Sequence, residues 1–396
     1  MNRESVAIAD VVDINPRLVA GSKPELDELV SFVPMAAVSA ASVSIENPVD
    51  RPYNEVSKGF TPFKRGDILI AKITPCFENG KMAHAHDLPR NLGFGSTEFH
   101  VLRPKNGLDG RYLFQLLRGS FVRKAGETKM KGAAGQRRVP AEFFAALKIP
   151  LPPLAEQQRI AGILDAADKL RAMRRDSLAQ LDTLLQSTFL DLFGDPITNP
   201  MGWEVGVIRD LLDSANYGSS KKADLETGAY PILRMNNITY SGAWDFGKLK
   251  YIDLDEKDLS KHLVHKGQIL FNRTNSKELV GKTAVFRRNE PMAYAGYLVR
   301  GITNDTADPE YIGGFMNTPQ IKKFLQNKCK KIVGMANINA KEFQAIPIPK
   351  PPLDLQNRFA AVVESVEQQK TSQRAHLAEL DTLFAALQQR AFNGEL

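Results

Sequence analysis

Cysteine is almost missing from this chain: Cys76 and Cys329 are the two in 396 residues. Two isolated thiols cannot build a disulfide framework or a zinc cluster, which points to a reducing compartment, the cytoplasm. Also missing is any run near the roughly 18 uncharged apolar residues that a membrane span needs. The first dozen residues lack a basic stretch followed by an apolar core, so no export signal is expected. A strong charge of one sign is lacking too, since 52 Lys+Arg stand against 45 Asp+Glu. The resulting +7 is a weak hint of a polyanionic partner. What is present is an ordinary globular composition, 43% hydrophobic and 24% charged.

The strongest pattern is a repeat with a period close to 200. Ile8-Ala-Asp-Val-Val-Asp13 matches Ile208-Arg-Asp-Leu-Leu-Asp213, and Phe32-Val-Pro-Met35 matches Ile232-Leu-Arg-Met235. Gly66-Asp-Ile-Leu69, with Lys72 and Gly80-Lys81, matches Gly267-Gln-Ile-Leu270, with Arg273 and Gly281-Lys282. Lys148-Ile-Pro-Leu-Pro-Pro-Leu154 with Gln157 and Arg159 matches Pro347-Ile-Pro-Lys-Pro-Pro-Leu353 with Gln356 and Arg358. The offset stays between 199 and 201 throughout.

Each copy divides at its proline-rich segment, because proline ends a regular element yet tolerates the first turn of a helix. Four segments follow: globular parts at 1–150 and 201–348, and helical parts at 151–200 and 349–396. In the first helix the apolar positions Ile160, Ile163, Leu164, Ala167 and Leu170, then Leu178, Leu181, Leu185, Phe189 and Leu192, recur at threes and fours. In the second they are Phe359, Val362, Val363 and Val366, then Leu377, Leu380, Phe384 and Leu387. Polar waists interrupt both stripes at Arg171 to Ser177 and Glu367 to Arg374. Two arrangements would cover such stripes, core helices of a bundle or a two-helix coiled coil. The globular parts, with short strands near Asp67 to Ile73, Glu98 to Leu102, Gln268 to Asn272 and Thr283 to Arg287, read as α+β domains of about 150 residues. Helices are expected over Tyr112 to Arg123 and Pro309 to Lys323.

Charge is unevenly placed. Residues 1–150 and 201–348 each hold 21 basic and 16 acidic residues, whereas the helical segments are slightly acidic. Two basic lobes joined by acidic helices suit a polyanion. The candidate contacts are Lys58, Lys64, Arg65, Lys129, Lys131, Gln136, Arg137 and Arg138 in the first lobe. In the second they are Lys221, Lys222, Asn236, Asn237, Lys277, Lys282, Lys330 and Lys331. A solvated surface would explain any one of them, but several sit in Gly/Ser/Asn-rich loops. Arginine suits guanine there, and asparagine or glutamine suits adenine.

Catalytic motifs do not form. Ser276 to Thr283 misses a phosphate-binding loop by one glycine, and a strand is expected after it where a helix would be needed. His84-x-His86 has no third ligand nearby. Asp255-x-Lys257 lacks the companion of a nuclease cluster, and no methyltransferase motif of the Asn/Asp-Pro-Pro-aromatic kind occurs.

Over essentially its whole length the chain resembles the DNA specificity subunit of type I restriction-modification enzymes. The carrying motifs are the two Gly-x-Ile-Leu segments and the twice-occurring Ile-Pro-x-Pro-Pro-Leu-x2-Gln-x-Arg at 149–159 and 348–358, each followed by a long helix. Leu355 departs from the acidic residue usual before that glutamine. The resemblance implies two pseudo-symmetric target recognition domains joined by a long antiparallel two-helix coiled coil, and no catalysis by this chain. It implies as partners double-stranded DNA, two methyltransferase subunits and two motor-nuclease subunits. S-adenosylmethionine, ATP and Mg are then expected on the partners only. The implied coiled-coil and partner contacts fall on Gln157, Arg159, Leu178, Leu181, Leu185, Gln356, Arg358, Leu377, Leu380 and Phe384. A recognition subunit of another methyltransferase-nuclease complex, or a self-contained nucleic-acid enzyme, are the alternatives.

If the copies obey a two-fold relation, the C-terminus returns to the first lobe and the helices act as a ruler. Exchanging residues 1–150 for those of a relative is then expected to change one half of a bipartite site only. Adding helical turns is expected to lengthen its gap. Methylation mapping of such hybrids checks both, and two halves changing together would refute the layout.

Overall fold

The computed structural model describes residues 5–19, 21, 23–40, 42–133, 135–332 and 335–396. The chain forms two compact units, residues 1–175 with 375–396 and residues 176–374. Among the described residues no helix is long and apolar enough to cross a membrane.

Unit 1 holds two four-stranded sheets. One runs in the order Val12–Ile14, Phe99–Pro104, Ile68–Ala71, Met82–His84, antiparallel throughout. The other runs Val49–Pro52, Leu29–Val33, Leu92–Gly95, Thr61–Lys64, with a parallel pair at its centre. Unit 2 repeats the first order with Leu212–Tyr217, Leu298–Thr303, Ile269–Asn272 and Thr283–Val285. It repeats the second with Lys250–Ile252, Tyr230–Leu233, Met292–Tyr294 and Leu263–Val264, and again the central pair is parallel. In both units a first short strand pairs with the strand before the long helix, Ser5–Ala7 with Lys148–Pro150 and Val205–Val207 with Pro347–Pro349.

The repeated Gly-x-Ile-Leu motif is the entry to the central strand. Ile68–Ala71 and Ile269–Asn272 are buried at all four positions, so both faces demand apolar side chains. Gly66 and Gly267 stand at φ +91° and +84°, a turn conformation in which a Cβ is strained. Their N–H groups donate to Ala85 and Phe286 at 2.9 and 2.8 Å, closing the turn onto the neighbouring strand.

The helices expected at Tyr112 to Arg123 and Pro309 to Lys323 are each two helices. Gly110–Leu117 is followed by Ser120–Lys129, and Pro309–Asn317 by Pro319–Lys328. In unit 2 the break is set by Pro319, which forces the preceding Thr318 out of the helical region to ψ 143°. In unit 1 Gly119 takes the corresponding extended place at ψ 134°.

The long helices are Leu154–Phe193 and Leu353–Asn393, each about 60 Å at 1.5 Å per residue. The units divide within or beside the polar waists, after residues 175 and 374, so each helix lends one half to each unit. In unit 1 Ile160, Ala161, Leu164 and Ala167 join Phe384 and Ala391 in one core. Phe392 stacks edge-on to Tyr112 at 5.6 Å, and Gln388 donates to the Gln115 carbonyl at 2.8 Å. The C-terminal segment thus returns to the first lobe. In unit 2 Phe189 and Phe193 pack with Phe359 and Val363. There Asp182 meets Lys370 at 2.6 Å and Phe193 meets Phe359 at 5.7 Å, so the two segments run antiparallel. The ends of the helices are therefore core helices. Between them Leu178, Leu181, Leu377 and Leu380 are half-buried, Leu185 packs on the unit 2 core, and Phe384 is buried in that of unit 1.

The waists carry a repeated ion pair. Lys370, 3% exposed at its side chain, is flanked by Glu367 at 2.9 Å and Asp182. Arg171, its repeat partner, is flanked by Asp168 at 2.7 Å and Asp381 at 2.6 Å. Burial opposes ionisation of Asp168, but Arg118 and Arg171 outweigh it and hold the carboxyl below its usual range.

A buried glutamine fixes each helix start to its domain. Gln157, 1% exposed, accepts from the Asp109 N–H at 2.8 Å and donates to the carbonyls of Gly107 and Pro152 at 2.9 and 2.8 Å. Gln356, equally buried, accepts from Asp308 at 2.9 Å and donates to Thr306 and Pro351 at 3.3 and 2.9 Å. The same loops are held by tyrosine hydroxyls, Tyr112 to Pro150 and Tyr311 to Pro349. Partner contact expected at these glutamines gives way to an internal role, because their amides are spent on backbone. Replacing Gln157 by Ala strands the buried Pro152 carbonyl and leaves the half-buried Asp109 N–H and the Gly107 carbonyl to water. It is expected to cost about 1–3 kcal/mol, the cost of one unsatisfied buried group. Urea titration reads this as a lower midpoint at constant slope, while Arg159→Ala, at an exposed pair with Glu156, leaves the midpoint in place.

Candidate nucleic-acid interface

A β-arm leaves each central strand at the same place. In unit 1 Ile73 and Lys131 both bridge to Arg138, and the Val139 N–H donates to the Lys72 carbonyl at 2.9 Å. In unit 2 Lys330–Ile332 pairs with Met335–Asn337, which pairs with Thr274–Asn275. There the Ile338 N–H donates to Arg273 at 2.9 Å. Gly132, at φ +125° and with a would-be Cβ 2.8 Å from the Gln136 carbonyl, lets the first arm fold back on itself.

Lys129 and the arm residues Lys131, Gln136, Arg137 and Arg138 are all exposed, so the structure gathers these five candidates at one place. Arg137 reaches Glu78 at 3.2 Å. Arg138 grips Glu98 through Nη2 at 2.8 Å and Nε at 3.0 Å. Those hydrogen bonds hold the Glu98 carboxyl below its ordinary value against some burial. The side chains of Lys330 and Lys331 lie outside the described residues.

Other candidates are scattered. Lys58 and Lys64 are exposed near or on the second sheet of unit 1, and Arg65 is tied to the Leu88 carbonyl at 2.7 Å. Lys221 is held between Asp255 and Asp258 at 2.8 and 3.0 Å, while Lys222, Asn236 and Lys277 are exposed. Asn237 is buried at a turn, accepting from the Arg234 N–H at 2.9 Å and donating to the Asp245 carbonyl at 2.8 Å.

Lys282 also lies inside the domain. Its ammonium donates to the Met235 carbonyl at 2.7 Å, and burial lowers its pKa. Lys81 makes the same bond to Met35 at 3.1 Å. The repeated Gly-Lys therefore ties the central sheet to a short 3-10 turn in each unit. As expected, Thr283–Val285 is a strand. His84 stacks on Phe114 at 5.8 Å, and among the described residues no group of three or more His, Cys, Asp or Glu is placed to hold a metal.

Sequence reasoning missed an aromatic component. In unit 2 Tyr217 is 42% and Tyr297 54% exposed, and the Arg273 guanidinium lies 4.9 Å from the Tyr217 ring centre. The strand registers would have revealed it: Ala71 opposes Phe99 where Asn272 opposes Leu298, which puts Glu98 and Tyr297 at one position. Cationic arms with amide and aromatic neighbours can neutralise phosphates and present donors to base edges.

The sequence profile for the type I restriction modification DNA specificity domain matches residues 4–183 and again 200–382. The EcoAI specificity subunit of a type I restriction enzyme from Escherichia coli is 38% identical over 184 residues, 45% of this chain and 30% of that protein. The EcoKI specificity subunit from strain K12 is 27% identical over 340 residues, 80% of this chain and 72% of that one. The chain spans about a third of the length of the EcoAI and EcoEI relatives, 30% and 32%. Among solved structures, the type I restriction-modification S subunit from M. genitalium aligns over 99% of this chain and 96% of its own, with TM-score 0.53 and 15% identity. A chain from a study of the assembly and conformational transition of a type I system aligns over 99% and 98%, with TM-score 0.52 and 19% identity. These likenesses extend to the fold.

Burial separates the lysines by their expected effect on duplex DNA binding. Lys131→Ala is expected to flatten the slope of log affinity against log salt by about one unit. Lys282→Met leaves that slope unchanged. Fluorescence titration at several salt concentrations checks both.

Proposed function

The chain belongs to the type I restriction-modification DNA specificity family, and on that premise we propose that it is the non-catalytic, sequence-reading subunit of such a system. Each unit reads one half of a bipartite, asymmetric DNA site in the cytoplasm. Two methyltransferase subunits and two motor-nuclease subunits assemble on the chain, and S-adenosylmethionine, ATP and Mg enter on those partners. The observation that carries this reading is the repeated β-arm: one framework, built twice, ends in arms of unlike sequence.

The partner count draws support from exposed leucines on the long helices. Leu154 and Leu353 are 45% and 38% exposed, and Leu184 and Leu383 are 47% and 48% exposed. Both pairs are separated by 199 residues, so each copy offers the same apolar features to an identical partner. Exposed apolar side chains on a helix suit a protein surface better than water. Arg358 is exposed like Arg159 and stands at the matching place near each helix start.

Purified chain alone is expected neither to cut DNA nor to turn over ATP. Combined with its methyltransferase subunit and S-adenosylmethionine, it is expected to direct methylation to one bipartite motif, read by sequencing that detects modified bases. Cleavage or ATP turnover by the chain alone, or methylation without sequence preference, would overturn the proposal.

A further inference from the structure

The two units place different chemistry at one framework position, and this difference deepens the DNA-reading proposal, on which it rests. Lys72 and Arg273 are equivalent: each donates its N–H to the residue before the long sheet strand, Glu98 at 2.9 Å and Tyr297 at 3.0 Å. Each accepts from the end of the arm, Val139 and Ile338, both at 2.9 Å. The residue before that arm end is Arg138 in unit 1 and Asn337 in unit 2. A shared backbone scaffold therefore presents Arg138 with Glu98 in one unit and Asn337 with Tyr297 in the other.

We infer that Arg138 and Asn337 are equivalent base-reading residues, so that unit 1 takes a G·C pair and unit 2 an A·T pair at this place in their half-sites. Arg138 is 44% exposed at its side chain; Glu98 grips its Nε–Nη2 edge and Nη1 donates to the Gln136 carbonyl at 3.3 Å, so a base is met on the Nη1–Nη2 edge. That grip fixes the guanidinium plane before binding, which reduces the ordering cost of a bidentate contact to guanine O6 and N7. In unit 2 the Asn337 amide is oriented by one bond to Thr274 Oγ1 at 2.8 Å. Its carbonyl oxygen and second N–H match the acceptor and donor that adenine N6 and N7 require. At the framework position that Glu98 holds in unit 1, Tyr297, exposed over half its surface, offers an apolar ring of the kind that contacts a thymine methyl.

The test uses the full chain assembled with its methyltransferase subunits and a library of duplexes randomised across the recognised site. Arg138→Lys keeps the charge and loses the fork. It is expected to relax one position of one half-site, with discrimination there falling about 10- to 100-fold, and to leave the other half-site unchanged. An unchanged motif with uniformly weaker binding would identify Arg138 as a phosphate contact and overturn the inference, while the bipartite motif of the wild-type assembly would keep the proposed function standing. A wild-type assembly with no motif would fail that function instead. Should the Arg138 variant not assemble, Asn337→Ser carries the test. Relaxation at one position of the opposite half supports the inference, and an unaltered motif overturns it.

Discussion

The arrangement depends on a buried amide. Each long helix begins directly after a proline-rich segment, and a helix start leaves unpaired N–H groups while a proline run leaves unpaired carbonyls. One glutamine side chain, with an acceptor and two donors, bridges that segment to the loop before the first domain helix. The same three bonds recur around Gln356. Leaving the buried Pro152 or Pro351 carbonyl unpaired would cost more than a made bond returns. The direction in which each helix departs is therefore set by hydrogen-bond satisfaction, and the apolar stripes then pack along that direction.

On this repeated frame the charges divide into two kinds. Lys81 and Lys282 are internal, tethering the 3-10 turns at Met35 and Met235, and Lys370 sits buried between two carboxylates. Lys131, Arg137 and Arg138 are exposed on an arm, with the arginines steadied by the turn carboxylates Glu78 and Glu98. The first kind is bound to backbone or acid at a fixed place, so it contributes to shape. The second can exchange its partners for phosphates or base edges, which is the property that a reading surface requires.

Much of the frame was legible in the sequence because it is periodic. The offset near 200, the strand entries at Gly66 and Gly267, and the helices after Leu154 and Leu353 all rest on patterns that backbone geometry imposes locally. What was hidden depends on distant neighbours. Gln157 was assigned a partner contact by the family resemblance alone; its burial follows from a loop nearly 50 residues earlier. Lys282 looked like a surface cation because it stands in a basic cluster, while its acceptor lies at distant Met235. The split of Tyr112 to Arg123 was missed, although Gly119, at the break, marks it in the sequence. Glu98, which orients Arg138, lies 40 residues before it in the turn that enters another strand, where no local pattern points to the pair.

The division of each long helix between two units bears on how the chain matures. Unit 1 needs residues 375–396, among them Phe384 and Ala391, which are buried beside Leu164 and Tyr112. Its core therefore stays open until these residues have been translated, although its two four-stranded sheets are complete at Pro104, some 270 residues before residue 375. At roughly 5–20 residues per second, the ribosome needs tens of seconds to supply that missing piece. Unit 2, whose segments are contiguous from 176 to 374, is ready first. The second-made lobe can thus be finished while the first-made one still waits with part of its apolar surface wet.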